Sequence, residues 1–310
     1  MQETAQQEAR TKKVTMKKGM HDKRTSLTEA VKRYLKDGIN IGIGGFVNTR
    51  IPVASIHEII RQGAHDLTLS VQDNSICCEL LAGAMILNPD HLTINKIELG
   101  LLGYKIIANA PLLQYLANNR MIQLDDYTKY GMSANYNGGV LDVPFLPTIN
   151  YDGSDMAPAC RPDLALIHVQ TADMYGNSQI FGDHCSCHEI AQASVNTLVT
   201  AEQIIQNFRI PKDPNVTQIP FHVVDAVVDQ PFGATPGACH GHYWFDISEI
   251  QEFTGICEDF CKTGNKDKLK AYYDKHIFDV ENFDDFLEQK PYPILQRLCQ
   301  QDGNQPVTLN

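Results

Sequence analysis

Three glycines follow a short apolar segment early in the chain, in the pattern Gly42-x-Gly44-Gly45. Glycine has no Cβ, so a turn of this composition lets backbone N–H groups approach a phosphate or carbonyl oxygen closely. A dinucleotide site would place another glycine three residues after Gly44, but Val47 stands there, and the next helix is expected only from Pro52. The pattern therefore disfavours a nicotinamide dehydrogenase. It leaves open a ligand-binding turn and a tight turn without a ligand.

Two polar residues, Asp73 and Asn74, follow the predicted strand 67–71. Open α/β sheets bind their ligands at the carboxyl ends of strands, so both residues are candidates for a site. An ordinary turn, in which an Asn or Asp side chain bonds its own backbone, explains them equally well.

The segment His184-Cys185-Ser186-Cys187-His188 carries the side chains that zinc prefers. Structural zinc usually takes its ligands from two separated elements, and no second motif completes this one. Cys239, His240 and His242 are the remaining residues that could approach it in space. We expect no metal here, and interpret the segment as polar residues at a helix start with buried thiols.

Helical and strand patterns alternate along the chain, which predicts an α/β fold with a largely parallel sheet. A capping box, Ser26-Leu27-Thr28-Glu29, predicts the start of the first helix. The region 133–162 is rich in Gly, Pro and Asn, and is expected to form a layer of loops. Twelve acids and six lysines between 246 and 290 predict solvated helices. Other helices are expected near 52–61, 76–86 and 111–118, and strands at 39–46, 67–71, 94–99, 121–124, 164–169 and 221–228.

Two histidines, His168 and His222, lie within predicted apolar strands. A buried imidazole usually finds a hydrogen-bond partner, so a core position explains each of them better than catalysis does.

The composition limits the classes of function. The 310 residues are 43% apolar and carry a net charge of −11, which argues against general nucleic-acid binding. No apolar run is long enough for a membrane span, so we expect no membrane association. The chain has nine cysteines, an odd number, and it is large enough to fold without disulfide bonds. This predicts free thiols and a cytoplasmic protein.

Charge also divides the chain into regions. Residues 1–24 carry seven bases and three acids, and are expected to form a basic, disordered tail. We predict one domain over 25–290 and a C-terminal tail over 291–310.

Several stretches of the chain follow one another in a characteristic order: 41–46 (IGIGGF), 56–63 (IHEIIRQG), 66–68 (DLT), 144–147 (PFLP), 162–168 (PDLALIH), 181–202 (FG…TAE), 224–234 (VDAVV…PFGA) and Cys239. Any single stretch is weakly specific, but all of them in this order over most of the chain are highly specific. Through these stretches, residues 24–288 resemble the α subunits of family I CoA-transferases, most closely the α subunit of the glutaconate CoA-transferase type.

The resemblance implies a mixed, mainly parallel sheet of seven strands flanked by helices. It also implies a homologous β subunit, whose Glu, followed by Ser or Asn and then Gly, attacks an acyl-CoA thioester. Coenzyme A thioester would then be a substrate, with no permanently bound cofactor. We expect an active site between the subunits and an assembly of α2β2 or larger.

No residue of this chain matches that nucleophile. Glu98-Leu99-Gly100 is the nearest motif, but it lies in an apolar strand and has Leu after Glu. Asp73 occupies the corresponding position with a shorter side chain. Asp125, in Asp125-Asp126, lies where ring-opening relatives carry an acid, although a helix start is the better explanation. The resemblance assigns substrate binding to Gly44, Gly45, Phe46, Asn74, Phe232 and Gly233.

The sequence therefore predicts the α subunit of an acyl-CoA:carboxylate CoA-transferase that acts on a small carboxylate. One alternative is the α subunit of a decarboxylase or ring-opening hydrolase of the same fold. A second is a ligand-binding or effector module without catalysis. That module would need a DNA-binding element, and the basic tail shows no helix-turn-helix pattern.

Overall fold

The computed structural model describes residues 19–103, 110–147 and 156–302. Seven parallel strands form its main sheet: β1 (Asn40–Ile43), β2 (Ala64–Val71), β3 (Leu92–Leu99), β4 (Gln123–Asp126), β7 (Leu164–Asp173), β9 (Asn196–Ile205) and β11 (Ala226–Asp229). Across the sheet they lie in the order β11–β9–β7–β1–β2–β3–β4.

Four short strands complete the β structure. β8 (Ser178–Gln179) pairs antiparallel with the end of β7, and β10 (Thr217–Ile219) pairs antiparallel with β8. β5 (Phe145–Pro147) and β6 (Met156–Pro158) form a separate antiparallel pair. The sheet is therefore mixed and mainly parallel, as predicted.

Helices cover both faces of the sheet. They are α1 (Leu27–Tyr34), α2 (Val53–Gln62), α3 (Ser75–Leu87), α4 (Pro111–Asn118), α5 (Lys129–Leu141), α6 (Cys187–Ala193), α7 (Ile247–Thr263), α8 (Asp267–Tyr273) with a π turn at Asp274–Phe278, α9 (Phe283–Glu288) and α10 (Tyr292–Asp302). Among these described helices, none combines the length and apolar character that a membrane span needs.

The alternation of side chains along β7 explains how one sheet supports two cores. Leu164 and Leu166 join the larger apolar cluster, with helices α1–α4 and α7–α9, whereas Ala165 and Ile167 join a smaller cluster with α5 and α6. Successive residues of a strand point to opposite faces, so a strand buried on both faces is apolar throughout.

The strand order reverses between β1 and β7. From β1 the chain proceeds outward through β2, β3 and β4, and then returns to the other side of β1 for β7, β9 and β11. In open α/β sheets, ligands bind outside the carboxyl ends of the strands at such a reversal.

Two regions differ from the sequence prediction. Residues 133–162 include most of helix α5 and the β5/β6 pair, because the glycines of α5 allow close packing: a Cβ on Gly139 would lie 2.0 Å from the Cys160 carbonyl oxygen. The strand predicted at 221–228 begins only at Ala226. The residues before it form a 3₁₀ turn, and His222 is exposed rather than buried.

The acidic region 246–290 packs on the larger core and is not a solvated tail. Ten of its twelve acids are exposed or half-buried, whereas Asp246 and Glu249 are buried. The aromatic side chains face inward and are at most 6% exposed: Phe253, Phe260, Tyr272, Tyr273, Phe283 and Phe286.

The chain ends also join the domain further than predicted. Arg24 pairs with Val227, and Lys23 N donates to the Met174 carbonyl, so the fold begins before residue 25. Residues 292–302 are helical, and Leu298 is 1% exposed. Residues 1–18 and 303–310, to which the predicted tails also extend, lie outside the described residues.

Candidate functional site at the carboxyl edge of the sheet

The glycine turn follows β1 at the point where the strand order reverses. Gly44 N donates to the Leu166 carbonyl at 2.9 Å, which holds the turn against β7. A Cβ on Gly44 would lie 3.2 Å from Cys187 Sγ, and Gly45 has a φ of +103°. Close packing therefore requires glycine at the first position and backbone conformation requires it at the second.

The backbone amides of this turn are all used within the chain. Gly45 N donates to Cys187 Sγ at 3.3 Å, Phe46 N to the Thr49 carbonyl at 2.8 Å, and Val47 N to the Asp73 carbonyl at 2.7 Å. In this conformation the N–H groups of the glycines bond within the chain and the glycines shape the turn, while substrate binding by Gly44 and Gly45 stays a prediction.

Solvent reaches the edge of the site at Phe46 and Lys129. Lys129, the first residue of α5, has a side chain that is 36% exposed and pairs with the Asp73 carboxylate, which is 2% exposed. Its ammonium also lies 5.4 Å from the centre of the Phe46 ring. The structure thus brings a half-exposed cation and an aromatic ring to the glycine turn, and the role of Lys129 had no signal in the sequence.

Asn74 connects two loops of the site. Its side chain accepts from Cys77 N at 3.2 Å, which caps helix α3, and donates to the Gly44 carbonyl at 3.1 Å. Asn74 is fully buried. Asn74 therefore lies beside the glycine turn, and its amide serves both a helix cap and the turn.

A buried guanidinium lies beneath the turn. Arg50 is 0% exposed; its Nη1 lies 3.5 Å from Cys187 Sγ and its Nη2 donates to the Asp183 carbonyl. Within the described part of the chain it makes no ion pair. Arg50 joins the β1 loop to the segment before α6, and the sequence contains no pattern that identifies it.

Cys185, in the segment before α6, and Gln72, directly after β2, connect two further loops of the site. Burial raises the pKa of Cys185 to about 12, so its thiol is protonated, and it donates to Gln72 Oε1 at 2.7 Å. The same Gln72 donates to the Lys129 carbonyl at 2.9 Å.

Phe232 and Gly233 follow β11 on the far side of the glycine turn. Phe232 N donates to Glu202 Oε2 at 2.7 Å, and a Cβ on Gly233 would lie 2.8 Å from His168 Cε1. The Gly233 carbonyl accepts from Ala54 N, in the first turn of α2. These contacts place both residues at the same edge as the glycine turn.

Strained backbone is concentrated in these loops. Four residues other than glycine have positive φ here: Val47 (54°), Arg50 (55°), Cys185 (48°) and Phe232 (57°). Such conformations cost free energy and persist where the surrounding structure enforces them, commonly at functional sites.

The segment His184–His188 is divided between a loop and the start of helix α6. Helix α6 begins only at Cys187, and His188 Nδ1 contacts the Gln218 carbonyl at 2.5 Å. Within the described ranges, the residues that bring three metal-ligating atoms within 4.8 Å of one another are His168, Glu202 and Cys239. His168 Nε2 lies 2.6 Å from Glu202 Oε1, a hydrogen-bond distance that is short for two ligands of one metal ion.

Asp125 and Glu98 lie together elsewhere on the sheet. Asp125 is within β4, opposite Glu98, and not at the helix start that the sequence favoured. Lys96 pairs with both carboxylates, at 2.7 and 2.8 Å. Burial is the largest single influence and opposes ionisation of Asp125, but the hydrogen bonds from Lys96 and Gln123 and the charge of Lys96 together outweigh it and hold the pKa of Asp125 below its usual value.

Sequence comparison finds relatives among CoA-transferases. Residues 24–96 match the family model of coenzyme A transferase. The A subunit of glutaconate CoA-transferase from Acidaminococcus fermentans is 27% identical over 85% of this chain and 90% of the relative. The A subunit of 3-oxoadipate CoA-transferase from Pseudomonas knackmussii is 27% identical over 84% of this chain and 95% of the relative. An uncharacterized protein of Archaeoglobus fulgidus is 29% identical over 87% of this chain, which spans 62% of that protein's length.

Solved structures show the same fold. Glutaconate coenzyme A-transferase from Acidaminococcus fermentans matches with a TM-score of 0.77 and 24% identity, covering 89% of this chain and 95% of that chain. The decarboxylase AibA/AibB matches with a TM-score of 0.66 and 24% identity, covering 80% and 97%. The predicted fold class and the predicted resemblance are both confirmed.

Proposed function

We propose, starting from the homology of this chain to the A subunits of CoA-transferases, that it is the α subunit of an acyl-CoA:carboxylate CoA-transferase. It would form one half of an active site shared with a homologous β subunit. One observation supports placing the nucleophile on the partner and not on this chain: Asp73, at the position that corresponds to the nucleophile, is buried and paired with Lys129.

The proposed chemistry is nucleophilic catalysis by a carboxylate of the partner. A carboxylate oxygen attacks the thioester carbonyl of the acyl-CoA, and the CoA thiolate leaves, which forms a mixed anhydride. The thiolate then attacks the carbonyl of the enzyme's carboxyl group and releases the free acid. This leaves CoA on the enzyme as a thioester until a second carboxylate reverses both steps.

This chain would supply binding and orientation. Lys129, with a side chain that is 36% exposed, holds its ammonium between the Asp73 carboxylate and the Phe46 ring, a combination suited to a small molecule with a carboxylate and an apolar chain. We assign substrate contacts to Phe46 and Phe232, and positioning of the edge loops to Gly44, Gly45, Asn74 and Gly233.

Exposed apolar side chains along α5 and the β5/β6 pair support the presence of a partner. After Lys129, helix α5 contains no charged residue, and it exposes Tyr130 (86%) and Leu141 (63%). The adjacent β5/β6 pair buries Ala157 and exposes Phe145 and Met156. Interfaces between subunits are depleted of charge and enriched in such residues. Because α5 begins at the site, a second protein on this surface could reach it.

The remaining features of the proposal concern the whole assembly. Acyl-CoA and a small carboxylate are the substrates, no cofactor is bound permanently, and the complex is α2β2 or larger. The cysteines of the described residues form no disulfide in the structure, which supports a cytoplasmic location.

The test compares the purified chain with the complex formed by co-expression with its β-type partner. We expect CoA transfer between acetyl-CoA and a panel of small carboxylates from the complex, and none from the chain alone. Borohydride reduction during turnover, followed by peptide mapping, should place the labelled carboxyl on the partner. Label on Asp73 or Glu98, or transfer by the single chain, would refute the assignment. Release of CO2 in place of transfer would favour the decarboxylase alternative.

A further inference from the structure

Three hydrogen-bond donors converge on the carboxylate of Glu202, which is 8% exposed. Oε1 accepts from His168 Nε2 at 2.6 Å and from Tyr243 Oη at 2.5 Å, while Oε2 accepts from Phe232 N at 2.7 Å. His168 Nδ1 in turn lies 2.9 Å from Thr200 Oγ1. The carboxylate is therefore enclosed by donors from β7, from the loop after β11 and from the segment that follows it.

The network holds the loop that follows β11. Tyr243 Oη also accepts from Ala234 N at 3.0 Å, and the Tyr243 ring stacks on Phe232 with centroids 4.7 Å apart. Phe232 has a φ of 57°, an unfavourable conformation for a phenylalanine. The backbone and ring of Phe232 thus have a single orientation, which Glu202 and Tyr243 enforce.

A network of this kind is expensive if its role is only to stabilise the fold. Burying a carboxylate costs free energy that its hydrogen bonds only roughly offset, and apolar residues of equal volume often stabilise as well. The same residues hold a strained aromatic whose ring is partly exposed at the edge of the site. The geometry favours a role in orientation.

We infer that Glu202 and Tyr243 are positioning residues that set acyl-chain specificity by fixing the Phe232 ring as one wall of the acyl pocket. This inference rests on the proposed function, because it assumes that Phe232 contacts the acyl group. Loss of the network would let the ring move, so that the pocket would accept chains of different length with less discrimination.

The experiment uses the αβ complex carrying Glu202→Gln or Tyr243→Phe. The matched control is Glu79→Gln, which alters another buried carboxylate that accepts two backbone amides, those of Leu112 and Leu113, away from this loop. We expect both test variants to raise KM for the preferred acyl-CoA by on the order of tenfold, with a smaller change in kcat, because displacements of ~1 Å in a positioned site have large effects. The ratio of kcat/KM between short and long acyl chains should shrink in the test variants and stay constant in Glu79→Gln.

A second readout works without any activity. The single tryptophan of the chain, Trp244, directly follows Tyr243, and its ring centroid lies 4.9 Å from that of Phe245, so its fluorescence reports on the segment that carries Tyr243. We expect altered emission from Glu202→Gln and unchanged emission from Glu79→Gln. Unchanged emission would overturn the positioning role even if the wild-type complex transferred no CoA, whereas inactivity of the wild type refutes only the proposed function. Altered emission with an unchanged chain-length ratio in an active complex would show a purely structural network, and would overturn the specificity role.

Discussion

Two neighbouring glycines at the site are required for different physical reasons. A Cβ on Gly44 would be crowded by Cys187 Sγ and by the Leu166 carbonyl, at 3.2 and 3.3 Å. Gly45 instead has a φ that L-residues rarely adopt, and a Cβ there would lie 3.1 Å from the Arg50 carbonyl oxygen. Because both amides are used internally, these glycines govern the shape of the turn.

Gly45→Ala should therefore destabilise the fold by about 1 kcal/mol or more, the cost of placing a Cβ at positive φ. Urea unfolding of the chain measures this change. The control is Gly255→Ala, within helix α7, where nothing lies within 4 Å of the new Cβ and a gain in stability of about 0.5–1 kcal/mol is expected. A Gly45→Ala complex that melts normally but turns over slowly would show that the turn serves ligand approach instead.

At the scale of elements, buried polar side chains position helices that pack on the larger apolar cluster. Asn74 caps α3, and Glu79 in α3 accepts from Leu112 N and Leu113 N, the first-turn amides of α4. Those amides favour the ionised carboxylate, but burial outweighs them and raises the pKa of Glu79 to about 8. The contact between the two helices thus depends on a carboxyl that is largely protonated at neutral pH.

This shift makes stability depend on pH. The folded chain keeps a proton on Glu79 that the unfolded chain releases above its ordinary pKa of 4.5, so stability should fall as pH rises from about 5 to 8. Each pKa unit corresponds to about 1.4 kcal/mol. Urea unfolding between pH 5 and 8 should show a shallower decline for Glu79→Gln than for the wild type. The exposed Glu281→Gln serves as control, and equal slopes in Glu79→Gln and wild type would contradict the assignment.

At the scale of the whole molecule, this acidic protein exposes apolar side chains on the side that begins at the site. Tyr130 is exposed at the start of α5 beside Lys129, and Leu141, Phe145 and Met156 are exposed at the end of α5 and on the β5/β6 pair, although the chain has a net charge of −11. This asymmetry supports an assembly in which the site is completed by a second subunit.

Leu141→Lys should weaken assembly with the β-type partner at least tenfold, because a lysine would be desolvated in an apolar interface. Phe208→Lys is a matched control, since Leu141 and Phe208 are each 63% exposed. Sedimentation velocity of the mixed subunits, with melting temperatures of each chain alone, separates assembly from folding. Equal assembly of the two variants would place the partner elsewhere.

Features that depend on local spacing could be predicted from the sequence. Ser26 caps the first helix and Gly63 ends the second, because these signals act on backbone groups a few residues away. Alternating helix and strand patterns indicated the parallel sheet, and the order of motifs indicated the family resemblance. The predictions for 133–162 and 246–290 were wrong because they rested on the composition of each segment. The glycines of α5 and the aromatic residues of α7–α9 instead pack on neighbours that are distant in the sequence.

Only the tertiary structure decided how the site is assembled. Lys129 meets Asp73 across 56 residues, Arg50 meets Cys187 across 137, and Tyr243 meets Glu202 across 41. None of these pairs has a spacing that a helix or strand period could reveal. They come together because the strand order reverses between β1 and β7, which brings the loops after β1, β2 and β11, the segment before α6 and the start of α5 to one edge. That order depends on the packing of two cores against one sheet, which no local pattern encodes.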